Sequence, residues 1–323
     1  MPVVGWHASH EQIAPSRLLA DVRHAEQAGF QAVWSSDHFA PWSSRQGESG
    51  FSFAWLGAAM ATTALPFGVV CAPGQRYHPA VAAQAIATLA EMFPGRFSVA
   101  LGSGEHLNEH ITGDPWPDKD TRNARLRECA GVIRALLDGD EVTHHGLVTV
   151  DRARLWTLPE TPPPLYATAV TPRTAGWAAA WADGLVTVGQ PVNTLRNVVE
   201  AFTGSGGDGK PLAVQIHVSW APDEAEALRI AHEQWRTNVF APPLCWDLAT
   251  TEQFDEAAKH VRPDDVRQNV LVFADLGRFA DYLHTLADLG FGTVYVHHVG
   301  QEQRGFIDAF GEHVLPALTA VRA

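Results

Sequence analysis

An acid and a histidine stand side by side in the stretch VWSSDHFAPW, directly after residues that read as a buried strand. Asp37 and His38 follow Val33 and Trp34 within a few residues. Neutral histidine is a good general base near pH 7, and strand ends are places where a rigid scaffold positions reactive side chains. The simpler interpretation is that Asp37 caps the following loop and that His38 is an ordinary hydrogen-bonded residue.

A second polar stretch, GSGEHLNE, follows an apolar run at residues 97–101. Its glycines allow the backbone to approach a flat ring or a phosphate closely. It is not a dinucleotide-binding fingerprint, because Leu107 occupies the place of the third small residue. Glu105 could simply cap the turn that follows. Together, however, His38 and Glu105 are the residue types of an acid–base pair, provided that the fold brings them to the same place.

The chain has 16 histidines, which raises the question of a metal site. In HASH, His7 and His10 would point to opposite faces of a strand end, which is poor geometry for chelation. Asp37, His38 and His298 could still converge in a barrel, so a metal-dependent barrel isomerase or hydrolase remains an alternative. We expect a site without metal.

The elements that must position these residues alternate between short apolar runs and longer helical patterns. The expected helices include residues 53–62, 79–92 and 123–137. Eight strand–helix units without a break in composition are typical of a (β/α)8 TIM barrel, with a doubly wound sheet as the competitor. The catalytic residues of such a barrel lie at the carboxyl ends of its strands. The expected strands cover residues 3–8, 32–36, 66–71, 97–101, 165–170, 185–188, 214–220 and 294–298.

Two stretches of the sequence are longer than the connections that a minimal barrel needs. Residues 138–164 contain a predicted hairpin, and residues 234–269 contain prolines, Trp246 and a polar helical segment. Long insertions in a barrel usually shape the substrate end. We therefore expect a single barrel domain over residues 1–323 with these two insertions.

The composition and net charge of the chain argue against several classes of protein. The net charge of −13 argues against a nucleic-acid partner, whose binding surface would be basic. No apolar run is long enough to span a membrane, and no signal peptide is visible. The three cysteines are far apart and show no metal-binding spacing. We expect a cytoplasmic protein with reduced thiols that acts on a small molecule.

Several stretches together resemble the luciferase-like flavin and deazaflavin oxidoreductases: GWHASHEQIAP, SDHFAPW, RYHPAVAAQAIATLAEMFPGR, LGSGEHLNEHITG and QRGFIDAFGEHVLPAL. Within that family the chain most resembles the branch of the F420-dependent glucose-6-phosphate dehydrogenases, and in particular a subfamily that has returned to an ordinary flavin. The resemblance implies a TIM barrel, FMN or coenzyme F420 as cofactor, an alcohol or carbonyl substrate such as a sugar or cyclitol, and a homodimer.

The resemblance also implies roles for particular residues. His38 would take the proton of the substrate hydroxyl, Glu105 would serve the matching proton transfer on the cofactor, and Trp42 would line the reacting centre. Glu11 and Gln190 would lie near the substrate. The implied cofactor-binding residues are Asp37, Val69, Val70, Ser103, Asn108, Thr168, Ala169 and Val170.

The family pattern includes a bulge with a non-proline cis peptide, which would fall at Val69–Val70. It also includes lysines that hold a sugar phosphate, and here Gln190 and Gln268 stand in their places. A phosphate dianion needs positive partners, so glucose 6-phosphate is a poor candidate substrate. An FMN-dependent monooxygenase of the same fold is the nearest alternative, and a cofactor-free partner subunit is a further one.

Overall fold

In a computed structural model of this chain, eight parallel strands close into a barrel that is surrounded by helices. The structure describes residues 2–320, and for residues 319 and 320 it describes the backbone alone. The predicted (β/α)8 TIM barrel is confirmed. The strands are β1 (Val3–Ala8), β2 (Ala32–Ser35), β3 (Phe67–Cys71), β4 (Phe97–Leu101), β5 (Val142–His145), β6 (Thr149–Ala153), β7 (Leu165–Thr168), β8 (Leu185–Val188), β9 (Leu212–Trp220), β10 (Leu271–Phe273) and β11 (Thr293–His298).

The barrel strands follow the order β9, β11, β1, β2, β3, β4, β7, β8, and the ring closes where β8 pairs with β9. Strand β10 is not among the strands predicted from the sequence. Strand β9 has nine residues and extends beyond β8, so its last residues are free to pair with this short extra strand. Strands β5 and β6 lie outside the barrel and form the antiparallel hairpin of the first insertion.

Helices cover the outside of the barrel. None of them, within residues 2–320, combines the length and apolar character that a membrane crossing requires. Short 3-10 turns lie at His110–Thr112, Arg236–Val239, Ala258–His260 and Pro263–Gln268, and a π turn lies at Thr203–Gly207. The α-helices are α1 (Pro15–Gln27), α2 (Ser52–Thr62), α3 (Pro79–Met92), α4 (His106–Glu109), α5 (Lys119–Leu137), α6 (Pro172–Ala178), α7 (Val192–Phe202), α8 (Glu224–Trp235), α9 (Leu244–Asp247), α10 (Thr251–Ala257), α11 (Gly277–Asp288), α12 (Arg304–His313) and α13 (Leu315–Ala320).

Helix α5 begins at Lys119, earlier than the predicted residue 123. The cause is a cap, since the Asp118 carboxylate accepts the backbone N–H of Thr121 at 2.7 Å. This earlier start matters for function, because it brings Lys119 to the mouth of the barrel.

The expected cis peptide at Val69–Val70 is wrong for this structure. Strand β3 continues in regular parallel register through both residues, with Val69 opposite Val99 and Val70 opposite Ala100. Within residues 2–320, the cis peptide bond is the one between Pro242 and Pro243.

The barrel interior is filled by two large aromatic rings. Trp34 on β2 and Tyr295 on β11 lie with ring centroids 4.9 Å apart. Gly68 on β3 faces the Trp34 indole so closely that a Cβ at this position would collide with the ring. The absence of a side chain at Gly68 therefore makes room for Trp34.

Replacing Gly68 with alanine should lower the free energy of unfolding by about 1–3 kcal/mol, because a methyl group overpacks the barrel interior. The measurement is the urea midpoint. Gly57→Ala in α2 is the matched control. A Cβ there meets open space, so it should raise stability by up to about 1 kcal/mol through helix propensity. Equal effects of the two substitutions would contradict the packing argument.

Candidate active site

The site lies at the carboxyl ends of the strands, where β1, β2 and β4 each deliver one titratable side chain. His38 follows β2 and Glu11 follows β1, and the two side chains meet, with His38 Nδ1 3.4 Å from Glu11 Oε1. The second carboxylate oxygen of Glu11 accepts a hydrogen bond from Ser9 Oγ at 2.9 Å. Burial by itself would raise the pKa of Glu11, but the adjacent His38 and hydrogen bonds outweigh it and lower the pKa to about 2. Glu11 is therefore an ionised partner for the His38 imidazole.

Glu105, at the end of β4, has the opposite character. Burial raises the pKa of this carboxyl, His38 opposes the rise and the Glu11 charge adds to it, and the resulting pKa is about 7. Its Oε2 is enclosed and has no hydrogen-bond partner within the described residues. Two carboxyl groups whose pKa values are driven apart by their surroundings are typical of acid–base catalysis. Glu105 can hold a proton near neutral pH, and Glu11 cannot.

Trp42 forms one wall of the site. Its ring centroid lies 5.2 Å from that of His38 and 5.1 Å from that of Phe254 on α10, in the second insertion. The same insertion supplies Asp255, whose carboxylate accepts hydrogen bonds from the hydroxyls of Ser43 and Ser44, both at 2.6 Å. Asp255 thus holds the loop that carries Trp42, although it is not among the site residues predicted from the sequence.

Asp255→Ala should lower kcat/KM by about tenfold, because small displacements of groups around a reacting centre have effects of this size or larger. Glu256→Ala is the control. Its side chain pairs with the exposed Lys259 at 3.2 Å and does not contact the Trp42 loop. The measurement is steady-state kinetics for both variants. Equal kinetics of the two variants would show that the Trp42 loop does not depend on Asp255.

Asp37 does not present a free carboxylate to the site. Its side chain is fully enclosed, and its oxygens bind Arg76 at 3.0 Å, Tyr77 at 3.2 Å and Ser52 at 2.8 Å. Arg76 also lies 3.6 Å from Glu109. The predicted contact between Asp37 and a cofactor therefore has no exposed carboxylate oxygen to make it. This residue fixes the loop that carries His38.

Asn108 acts on the same loop. Its side-chain carbonyl accepts the backbone N–H of Phe39 at 2.9 Å, and the residue is buried. Asn108 therefore supports the position of His38 from the β4 side of the mouth. This contact links the SDHF stretch to the GSGEHLNE stretch.

Some of the predicted cofactor-binding residues lie at the mouth of the barrel, and others pack inside the barrel or between its strands and the helices. Ser103, Thr168 and Val170 are half-buried at the ends of β4 and β7. A Cβ at Gly102 would lie 2.9 Å from Thr168 Oγ1, so the missing side chain makes room for the Thr168 hydroxyl. Val70 packs inside the barrel beside Trp34, whereas Val69 belongs to the apolar layer between strands and helices. The Val69 side chain therefore points away from the mouth. The backbone N–H of Ala169 donates a hydrogen bond to the backbone carbonyl of Val186 at 3.1 Å.

At the end of β8, Gln190 presents an amide whose Nε2 is enclosed and lacks a hydrogen-bond partner within residues 2–320. Gln190, which stands where the family pattern has a lysine, therefore lies at the mouth of the barrel. An unpaired buried amide donor favours a ligand with a hydrogen-bond acceptor.

A cluster of histidines lies below the site. The rings of His7 and His297 stack at 4.4 Å, and that of His217 lies 5.3 Å from His297. Burial lowers the pKa of His7 to about 3 and of His217 to about 4, so these rings are neutral. His298 stacks on Phe306 at 4.6 Å and does not join Asp37 and His38. Within the described part of the chain, no group of acidic, histidine and cysteine side chains has the arrangement of a metal site.

Comparison with known proteins identifies the family and several relatives of this chain. Residues 2–293 match the luciferase-like monooxygenase family. The chain is 33% identical over 328 residues to the F420-dependent glucose-6-phosphate dehydrogenase of Beutenbergia cavernae, covering 98% of this chain and 97% of the relative. It is 32% identical to the F420-dependent hydroxymycolic acid dehydrogenase of Mycobacterium tuberculosis, covering 98% of this chain and 88% of the relative.

Solved structures agree with these relatives. An F420-dependent secondary alcohol dehydrogenase in complex with an F420–acetone adduct superimposes with a TM-score of 0.90 and 30% identity, covering 98% of this chain and 99% of that one. A long-chain alkane monooxygenase superimposes with a TM-score of 0.77 at 16% identity, over 99% of this chain and 91% of that one. The second likeness shows the fold alone.

Proposed function

Because this chain belongs to the luciferase-like monooxygenase family, we propose that it is an F420-dependent dehydrogenase, which moves a hydride between the cofactor and an alcohol or ketone. The observation that carries the proposal is the pairing of His38 with an ionised Glu11, opposite a Glu105 that holds a proton near pH 7. Alcohol oxidation needs a base at the substrate hydroxyl and a proton source at the cofactor. This mouth contains both.

The residues present fit a flat cofactor ring with a side chain. Gly102 has no side chain beside the Thr168 hydroxyl, and Glu105 Oε2 is a buried polar atom without a partner. Both features are explained if a ring with polar atoms lies across the ends of β4 and β7. Ser103, Thr168, Val170 and Glu105 would hold this group.

When bound, the deazaflavin supplies a ring carbon that accepts or donates the hydride. His38 accepts the proton of the substrate hydroxyl through Nε2, because Nδ1 faces Glu11. The Glu11 carboxylate stabilises the imidazolium that results. Glu105 holds a proton that it can release where negative charge develops, and Trp42 excludes water from the side of His38.

The proposed substrate is an uncharged alcohol or the corresponding ketone. Gln190 offers a buried amide at the end of β8. An amide can bind a hydroxyl or a carbonyl but does not neutralise a phosphate. We expect secondary alcohols to react at least as well as sugar phosphates do. A strong preference for glucose 6-phosphate would refute this substrate class.

The proposal is tested by fluorescence titration of the purified protein with coenzyme F420 and with FMN, side by side. Saturable binding of F420, followed by its reduction in the presence of a secondary alcohol, is the expected result. Binding of FMN alone, with oxygen consumption once the flavin is reduced, would favour the monooxygenase alternative. Binding of neither cofactor would refute the proposed function.

A further inference from the structure

We infer that Lys119 is an anion-binding residue of the cofactor site and that it takes the phosphate group in the cofactor's side chain. The inference rests on the proposed function and deepens it. Coenzyme F420 and FMN both carry a phosphate at the end of the ribityl chain. Lys119 was not among the site residues expected from the sequence.

Lys119 lies beside residues to which the family resemblance gives a role in cofactor binding. As the first residue of α5, it reaches back across the end of β4, where its Nζ donates to Ser103 Oγ at 2.5 Å. Ser103 follows Gly102, which lies against Thr168 at the end of β7. Lys119, Ser103 and Thr168 therefore lie on the same side of the mouth.

The charge of Lys119 is left without an acidic partner. Arg76 lies within ion-pair distance of Asp37, and Arg122 lies 3.6 Å from Asp247. Within residues 2–320, no carboxylate lies within 4 Å of Lys119 Nζ. Its contacts are the Ser103 hydroxyl and the face of the Trp246 ring, whose centroid is 4.5 Å away.

This environment is unfavourable for an ammonium group on its own. Burial, together with the positive charge of Arg122, lowers the pKa of Lys119 to about 8. Glu105 is nearby, but with a pKa of about 7 it is only partly ionised near neutral pH, so it does not serve as a permanent counter-ion. A half-buried cation that retains its charge is stabilised by a charged hydrogen-bond acceptor, and a phosphate oxygen would accept from both Lys119 and Ser103.

The second insertion orients this side chain. Trp246 lies on α9, which packs against α4, and the Asp247 carboxylate accepts a hydrogen bond from Trp116 Nε1 at 3.0 Å. Lys119 Nζ thus lies over the Trp246 ring and donates its hydrogen bond to Ser103. An ammonium held between an aromatic face and a hydroxyl is restricted in position, which favours one anion site.

The test compares cofactors that differ in the phosphate alone. Dissociation constants are measured by fluorescence for F420 and for its phosphate-free deazaflavin core, and likewise for FMN and riboflavin. In Lys119→Met, affinity for the phosphate-bearing form should fall about 10- to 100-fold, the effect of one charged hydrogen bond. Affinity for the phosphate-free form should stay within about twofold. Lys119→Arg keeps the charge and should retain most of the preference.

Lys259→Met is the matched control, because Lys259 is exposed and pairs only with Glu256 among the contacts of its side chain in the described residues. It should leave all the affinities unchanged. If Lys119→Met weakens both forms equally, or weakens the reduced cofactor alone, Lys119 contacts the ring and the inference is overturned while the proposed function stands. If the wild-type protein binds none of the four compounds, the proposed function and the inference fail together.

Discussion

Replacing His38 with alanine should lower kcat by about 100-fold or more, while the cofactor still binds with an affinity within about twofold of wild type. The reason is geometric. His38 stands at the end of β2 with one ring nitrogen facing Glu11, which leaves the other nitrogen free to accept a proton from a substrate hydroxyl. General bases contribute roughly 100- to 10,000-fold to such reactions.

The measurement is single-turnover kinetics with saturating alcohol, alongside a cofactor titration. Added imidazole should restore part of the rate in the alanine variant if the ring acts as a base. His145→Ala on the exposed hairpin is the control and should behave as wild type does. A turnover that survives in His38→Ala would remove the proposed role.

The barrel could be predicted because each of its strands and helices is recognisable from a short stretch of sequence. Each strand is a short apolar run, each helix has its own periodicity, and the carboxyl ends of parallel strands must gather at one end. That rule alone brings the residues after β1, β2 and β4 together, and the structure places Glu11, His38 and Glu105 at one mouth. The apolar pattern likewise predicted the ends of several strands to within a residue or two.

The partners of those residues could not be predicted in the same way. Asp37 reads as a free acid beside His38, yet it is enclosed by Arg76 and Tyr77 from the loop after β3. Asp255 holds the Trp42 loop from the second insertion, across more than two hundred residues of chain. No periodicity specifies which insertion helix docks on which loop, because that choice depends on shape and hydrogen bonding after the barrel has formed.

The gathering of strand ends at one mouth of the barrel also does not determine which carboxyl group carries a proton. Glu11 and Glu105 have the same side chain, and both are surrounded by protein. Glu11 has His38 within ion-pair distance and is ionised, whereas Glu105 has an unpaired oxygen and a raised pKa. The division of roles follows from the distances to neighbouring groups, which are a property of the folded chain.

Replacing Glu105 with glutamine should lower kcat for alcohol oxidation by about 100-fold, because an amide keeps the shape of the acid but has no carboxyl proton to release. The sign of the pH dependence follows from the pKa of about 7, which burial raises from the usual value of 4.5. Below pH 7 the carboxyl is protonated and can act as a donor. The oxidation rate should therefore fall as the pH rises through about 7.

A pH–rate profile of both proteins tests this assignment. The wild type should show a decrease of rate near pH 7 that Glu105→Gln lacks, and Glu160→Gln on the exposed surface should keep it. In the direction of ketone reduction the dependence should invert, since the carboxylate must then accept a proton. A decrease near pH 7 that persists in Glu105→Gln would assign the titration to another group and leave Glu105 with a purely structural role.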